Sequence, residues 1–510
     1  MRAAHQMLFG TVILSALSLA GCSNDERVGA TSEVKEHEKV IVAYSTDLNT
    51  FDPVFGSAGS DHSLLYPLYD TLVSFDEDLL PQPGLAEEWE YLNDTTLELR
   101  LRDGVTFHDG SVMDGEAVAF NLERATSEES YISDLNAVES VEVVNDLTVR
   151  LHLQYPDSSI VLALADRAGM MVSQEAIEQN PDQIQRAGVG AGPYELVAWE
   201  TGEKLTYRKF DDYWNEGEPK AEILEIQVMP NQMTRMNALQ TGEIDFATSL
   251  PAGEITSLSD EEKFTIVEGS AVPVNMLYLN IASAPLDQKA VRLALQHGID
   301  RAALNEAIHY GQGEGAYQPF PSSYWVYNDE LNNLYDPDYA RAVLEEADLV
   351  GTVVTIAHYP EAYDERVIDI LRHQLAEIGI VVNGQAMEIQ AGISAYFDEK
   401  SVPSFMSRWT GRPDPQMTMT MLYHSTSYYN TGSYSTEEIE SLLAEAAGTI
   451  DNPERRAEIY DEINRIGLTE EAIFIPLTFQ PDIVAMSTDV KGYEPNMLGK
   501  PKFQMLYKEP

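Results

Sequence analysis

A single cysteine in 510 residues, Cys22, bounds what this chain can fold into. No intramolecular disulfide and no cysteine-based metal site is possible, so the fold must be held by burial alone. The composition allows that. With 44% hydrophobic, 9% aromatic and 23% charged residues, the chain can bury large cores and is not a disordered acidic polymer. Its length suits about three domains at roughly 150 residues each.

The position of Cys22 is informative. Arg2 supplies a positive start, residues 7–19 form an apolar stretch too short to stay as a membrane-spanning helix, and Leu19-Ala20-Gly21-Cys22 follows at once. This resembles a lipobox, in which the cysteine is acylated and becomes the first mature residue. Residues 1–21 therefore read as a lipoprotein signal peptide, and 22–38, polar and aperiodic, as a flexible tether. Arg2 stands alone, so the twin-arginine route is not indicated. No later segment offers 18 uninterrupted apolar residues. The chain is expected to be extracytoplasmic and anchored to a membrane through lipidated Cys22.

The 84 acidic residues against 32 basic ones give a net charge of −52, which excludes nucleic acid as a partner because a phosphate backbone would be repelled. Only 12 of the basic residues are lysines. So large a carboxylate excess is expected of a surface kept hydrated in high salt, and points to a halophile. Much of it lies in polar stretches such as Glu128-Glu129 and Glu437-Glu438, which read as solvated surface.

Strand and helix signals alternate along the chain. Residues 40–44 read as a strand, and 49–53 as a loop. Residues 96–102 alternate apolar and polar, Asp103-Gly104 makes a turn, and 105–108 begin again, which predicts a hairpin. Residues 141–144 with 148–153 predict a second hairpin, and 194–199 with 205–210 a third. Helices are expected over 114–124, 436–447 and 452–466, and an imperfect helical stripe over 287–309 is interrupted by Gly298. A strand at 353–357, an amphipathic helix at 364–378 stopped by Gly379, and a strand at 380–382 form a βαβ unit. Strands at 472–479 and 482–486 close an α/β chain.

Enzyme signatures are missing: there is no G-x-S-x-G, no H-E-x-x-H and no G-x-x-x-x-G-K. Gly188, Gly190 and Gly192 are followed by Pro193 and a strand, so they read as a turn or hinge and not as a dinucleotide loop. The ten histidines lie at no clean metal spacing. No cofactor and no metal is expected.

Several blocks then share one likeness. They are Leu68-Tyr69-Asp70-Thr71-Leu72-Val73; Pro83-Gly84-Leu85-Ala86-Glu87-Glu88-Trp89-Glu90; Leu101-Arg102-Asp103-Gly104-Val105-Thr106-Phe107-His108-Asp109-Gly110; Gly190-Ala191-Gly192-Pro193-Tyr194; Asp212-Tyr213-Trp214; and the run from Pro285 to Arg301. In this order and spacing the chain resembles the extracellular solute-binding proteins of family 5, the peptide, nickel and opine type that serves ABC importers. The resemblance implies a two-lobed periplasmic-binding-protein-like α/β fold of class II type. Lobe one would comprise 39–275 plus 480–510, with an inserted subdomain at about 71–185, and lobe two 276–479. The ligand would lie in the cleft between them.

The family carries a W-x-G segment at the ligand, and peptide binders often follow it with an Asp for the ligand's amino terminus. Here the segment is Trp409-Thr410-Gly411-Arg412-Pro413-Asp414, with Arg412 directly after the glycine and Asp414 two positions on. Trp409 is expected to stack on ligand. Arg412 either holds an anionic group of the ligand in a bidentate pair or pairs internally with Asp414 or another acid. In lobe one, Phe55, Ser57 and Asp61 belong to a small-residue loop that resembles the cleft-facing one of the family. Tyr428 and Tyr429 are second-tier candidates. The expected function is to capture a peptide or peptide-like solute and deliver it to ABC permease subunits, as a monomer without catalysis. An oligosaccharide, a nickel chelate or another anionic compound is the alternative ligand, and a secreted peptidase or hydrolase on the same fold the alternative of another class.

Overall fold

The computed structural model describes residues 35–56, 59–259, 262–332 and 334–509. Cys22 and Ser57, and with them the calls on signal, lipid and most of the tether, lie outside the described residues.

Eleven strands form one continuous hydrogen-bonded sheet. At one end, Lys39–Tyr44 pairs in parallel with Ile223–Val228, which pairs antiparallel with Lys204–Lys209, itself paired with Tyr194–Glu200. At the other end, Val353–His358 pairs in parallel with Val381–Ala386 around the helix Ala362–Glu377, the expected βαβ unit. Two long antiparallel strands, Phe264–Leu279 and Phe474–Ser487, join the halves. Their register shifts twice, between Ser270 opposite Pro481 and Val274 opposite Phe479, and again between Asn275 opposite Thr478 and Met276 opposite Pro476. The closing strands read separately at 472–479 and 482–486 are thus one strand, bent where Pro481 lacks an N–H to donate.

Each half has its own core. Val40, Val42, Tyr207, Ile226 and Phe246 centre the first, and Leu277, Ile356, Leu371, Leu375 and Leu477 the second. Between residues 86 and 153 stands a separate four-stranded antiparallel sheet, covered by the helix Gly115–Ala125. Its core, with Leu97, Leu99, Val149 and Leu151, runs on into Trp409, Met417 and Tyr423 of the second half. Across this junction Ser158 N–H donates to the Ala447 carbonyl at 2.9 Å, at the end of the helix Glu437–Gly448.

The hairpins predicted at 141–153 and 194–210 are present, over 138–153 and 194–209. The first is not. Thr96–Leu101 pairs instead with Ala86–Asn93 through a turn in which the Asn93 side chain accepts from Thr95 N–H. Val105 and Phe107 after Asp103-Gly104 are buried but plug the core and extend no strand. Ala86–Asn93 went unread because only Ala86 is buried, Trp89 and Tyr91 are half-buried and the other side chains face solvent. The 287–309 stripe is two helices, Lys289–Gly298 and Arg301–His309, with Asp300 capping the second by accepting from Ala303 N–H. The acids Glu437, Glu438 and Glu440 occupy the first turn of a helix, where the dipole favours negative charge.

The shared sequence blocks turn out to clasp one another. Tyr213 and Trp214 both donate to Asp70, at 2.8 and 2.6 Å, while Arg102 lies 4.1 Å over the Trp214 ring. Burial raises the Asp70 carboxyl to about 6 despite those donors. Gly190 and Gly192 flank and occupy a bend, as read, and their lack of a side chain has a second use. A Cβ on Gly190 would stand 2.1 Å from the Leu68 carbonyl, so these glycines permit close packing, which His108 secures by accepting from Gly190 N–H.

Candidate functional site

Trp409 closes the strand Ser404–Trp409 and sits opposite Val274, beside the first register shift. Gly411 follows with φ of +71°, and any Cβ there would meet Val272 Cγ2 at 2.2 Å, so both backbone and space require glycine. The Trp409 ring is buried, edge-on to Tyr429 at 4.9 Å, and its Nε1–H has no partner.

Arg412 lies 5.1 Å over the Trp409 ring and donates from Nη1 to the Gly411 carbonyl at 2.8 Å. It does not pair with Asp414. Its Nε stands 3.6 Å from Oδ1 of Asp134, which belongs to the inserted subdomain. That distance is too long for a hydrogen bond, and both atoms are buried without one.

Around this pair gathers a set of charges that the sequence reading missed. Asp166 accepts from Lys500 and lies 2.5 Å from His62 Nδ1. Burial opposes its ionisation, but His62 and Lys500 together hold the carboxyl well below the ordinary range. Burial, assisted by Lys500, pushes the His62 imidazole down to about 4, so it is neutral near pH 7. Arg167, its own ionisation lowered by burial, feels Asp134, Asp166, Arg412 and Asp61. Asp61 ends the turn Gly59–Asp61; Asn49 donates to its Oδ2 at 3.3 Å, Oδ1 is buried without a partner, and burial raises its carboxyl. Three cations, Arg167, Arg412 and Lys500, thus face three carboxylates, Asp61, Asp134 and Asp166. One sequence signal could have found part of it: Asp166-Arg167 ends an otherwise unbroken apolar run from Ile160 to Ala165.

The other candidates divide. Phe55 packs edge-on to Tyr131 at 6.4 Å, and Tyr131 offers its carbonyl to Arg167 at 3.3 Å, which brings Phe55 to the same cluster. Tyr429 reaches it through Trp409. Tyr428 is half exposed, stacked on Phe397 at 4.9 Å, and donates to Asp398 at 3.1 Å, one ring further out. Asp414 is a correction. Its carboxylate is buried, caps the helix Pro415–Tyr423 by accepting from Gln416 N–H at 2.7 Å, and is paired with Arg456, so it is committed to the fold. Among the described residues no group of three or more His, Cys, Asp or Glu side chains is placed to hold a metal ion, and no helix is long and apolar enough to cross a membrane.

The family model of the bacterial extracellular solute-binding proteins, family 5, matches residues 81–430. The chain belongs to this family. This family-5 protein is 30% identical over 474 residues to the glutathione-binding protein GsiB of Salmonella paratyphi A, covering 89% of this chain and 91% of that one. To GsiB of Escherichia coli K12 it is 28% identical over 473 residues, with the same coverage. Among solved structures it is similar to the periplasmic binding protein DppA of Helicobacter pylori in complex with the peptide STSA, at 24% identity and a TM-score of 0.80 over 92% of this chain and 98% of that one. It is likewise similar to AgaA of A. tumefaciens R10 in complex with agropinic acid, at 23% identity and a TM-score of 0.80 over 92% and 99% of the two chains. These likenesses give the fold as that of two-lobed periplasmic binding proteins and the class of protein as extracellular solute binding.

Proposed function

We propose that this chain is the solute-binding component of an ABC importer and captures a peptide-like zwitterion, presenting it in the closed form to the permease without chemistry of its own. One observation carries the reading. Four buried polar atoms of this charge cluster have no hydrogen-bond partner: the donors Trp409 Nε1 and Arg412 Nε, and the acceptors Asp61 Oδ1 and Asp134 Oδ1, although Arg412 and Asp134 form a loose ion pair. Leaving such groups unmade costs about 1–3 kcal/mol each. A ligand carrying both a carboxylate and an ammonium group answers both kinds. The named relatives that bind glutathione, itself a peptide, support the same solute class.

The proposed hinge is the register break at 270–274 and 479–481, which divides lobe one (39–275 and 480–510, with the insertion at about 71–185) from lobe two (276–479). A ligand touching Arg412 on lobe two and Asp61 on lobe one favours the closed state over the open one. The protein works as a monomer tethered by acylated Cys22, its carboxylate-rich surface suited to a saline exterior. Thermal denaturation against panels of peptides, sugars and nickel chelates tests the reading. Free peptides at about 100 times Kd should add roughly 2.7 kcal/mol. A shift with sugars or chelates alone would replace the peptide reading.

A further inference from the structure

Beside Asp134 opens a cavity of about 610 Å³, walled by residues 133–159 of the inserted subdomain and by the helices Pro415–Tyr423 and Glu437–Gly448. Trp409, Arg412 and Asp61 do not line it. Its volume falls in the middle of the range that encloses a drug-sized ligand, about 300–1,000 Å³. Its walls are apolar with an acidic margin of Asp134, Asp157 and Glu440 and no lysine or arginine. Met417, Met421, Leu443 and Ala444 supply apolar surface, and Ser133 and Thr420 supply uncharged polar groups. The charged groups at the walls are engaged with protein partners. Asp157 accepts from Ser159 N–H and Oγ–H at 2.9 and 2.6 Å. Glu440 pairs with His424 at 3.0 Å and accepts from Ser425 N–H at 2.9 Å. That leaves Asp134, with its buried unpartnered Oδ1, at the junction with Arg412. A second cleft of about 1000 Å³, reached by Ser158, mixes Trp89, Leu162 and Trp325 with a denser set of acids, among them Glu90, Asp451 and Glu454.

We infer that a solute held at Arg412 runs past Asp134 into this cavity, so that the protein selects short peptide-like ligands whose distal side chain is apolar and not anionic. The inference rests on the peptide-like reading above and adds the size and polarity of the ligand. An anionic distal group would meet Asp134, Asp157 and Glu440 and no lysine or arginine, and would lose its hydration. A long peptide would exceed the space.

The test is isothermal titration of the full chain with three probes: Ala-Ala, Ala-Ala-Met and Ala-Ala-Glu. Wild type should bind Ala-Ala-Met about tenfold or more tightly than Ala-Ala-Glu, a difference of about 1.4 kcal/mol. Ala444 is exposed to the cavity space, so Ala444→Trp fills it without entering a core. That variant should weaken Ala-Ala-Met by about tenfold or more while leaving Ala-Ala within about threefold, with an unchanged melting temperature. Arg412→Gln should weaken all three probes. If Ala444→Trp binds Ala-Ala-Met as wild type does, or if the glutamate probe binds equally well, the inference falls while the loss at Arg412→Gln keeps the peptide-like reading. If Arg412→Gln changes nothing, or no probe binds wild type, that reading falls and this inference with it.

Discussion

Acid should loosen the clasp of His62 and Asp166 on Lys500 of the C-terminal segment through one imidazole. His62 is buried against Asp166 and Lys500, and its pKa is held at about 4 from an ordinary 6.5, first by burial and then by Lys500, with Asp166 opposing. Between pH 6.5 and about 4 the unfolded chain binds a proton that the folded chain refuses, so stability falls as the pH falls through that window. Below about 4 the folded form takes the proton too and the loss stops. The displacement is worth about 3 kcal/mol at 1.36 kcal/mol per pH unit. Other groups work against it: Asp70 and Asp461, raised by burial to about 6, make the fold more stable as the pH drops through 6. The assay therefore compares wild type with His62→Gln by urea unfolding at pH 7.0, 5.5 and 4.0. Wild type should lose about 3 kcal/mol relative to the variant across that range. Parallel profiles for the two proteins would refute the assignment of a neutral buried imidazole to this clasp.

Three further outcomes follow from the geometry. Asp414→Ala strands the buried Arg456 guanidinium and uncaps the helix Pro415–Tyr423, so urea unfolding should show a loss of about 3–5 kcal/mol. Gly411→Ala forces a left-handed backbone and a clash with Val272 Cγ2; it should cost about 1–3 kcal/mol in the same assay and weaken ligand binding, since it disturbs the crossing strand. Arg412→Gln should lower affinity for a carboxylate ligand by about 1.5–3 kcal/mol in calorimetry, with only a small loss of melting temperature, because its one contact with another segment's carboxylate, at Asp134, is a loose ion pair.

Much of the architecture was legible because it is written in local patterns. The βαβ unit at 353–386 shows its strand, amphipathic helix and glycine stop in consecutive residues, and the hairpins at 138–153 and 194–209 show alternation around turn residues. Where local rules compete, the reading failed. Asp103-Gly104 is as good a turn as Asn93-Asp94-Thr95, and only the burial of Val105 and Phe107 in the core decides between them. The shared blocks identified the family but serve to pack the first half of the chain, as Asp70 with Tyr213 and Trp214 illustrates. The site was half legible. Trp409 and Arg412 announce themselves in the W-x-G segment, whereas Asp134, Asp166 and Lys500 come from three distant stretches that meet only after folding. Asp414 misled because an acid near a ligand motif reads the same whether it faces a ligand or caps the next helix. The net charge of −52 gave no hint of a cleft that balances three cations against three carboxylates.

The central claim is that this cleft reads a solute by two opposite charges at once. Titration calorimetry with one short peptide in its free, N-acetylated and C-amidated forms tests it most directly. The free peptide should bind, and blocking either end should cost about tenfold or more, since each block removes one charge-assisted partner of a buried group. Equal affinity for the three forms would contradict the account.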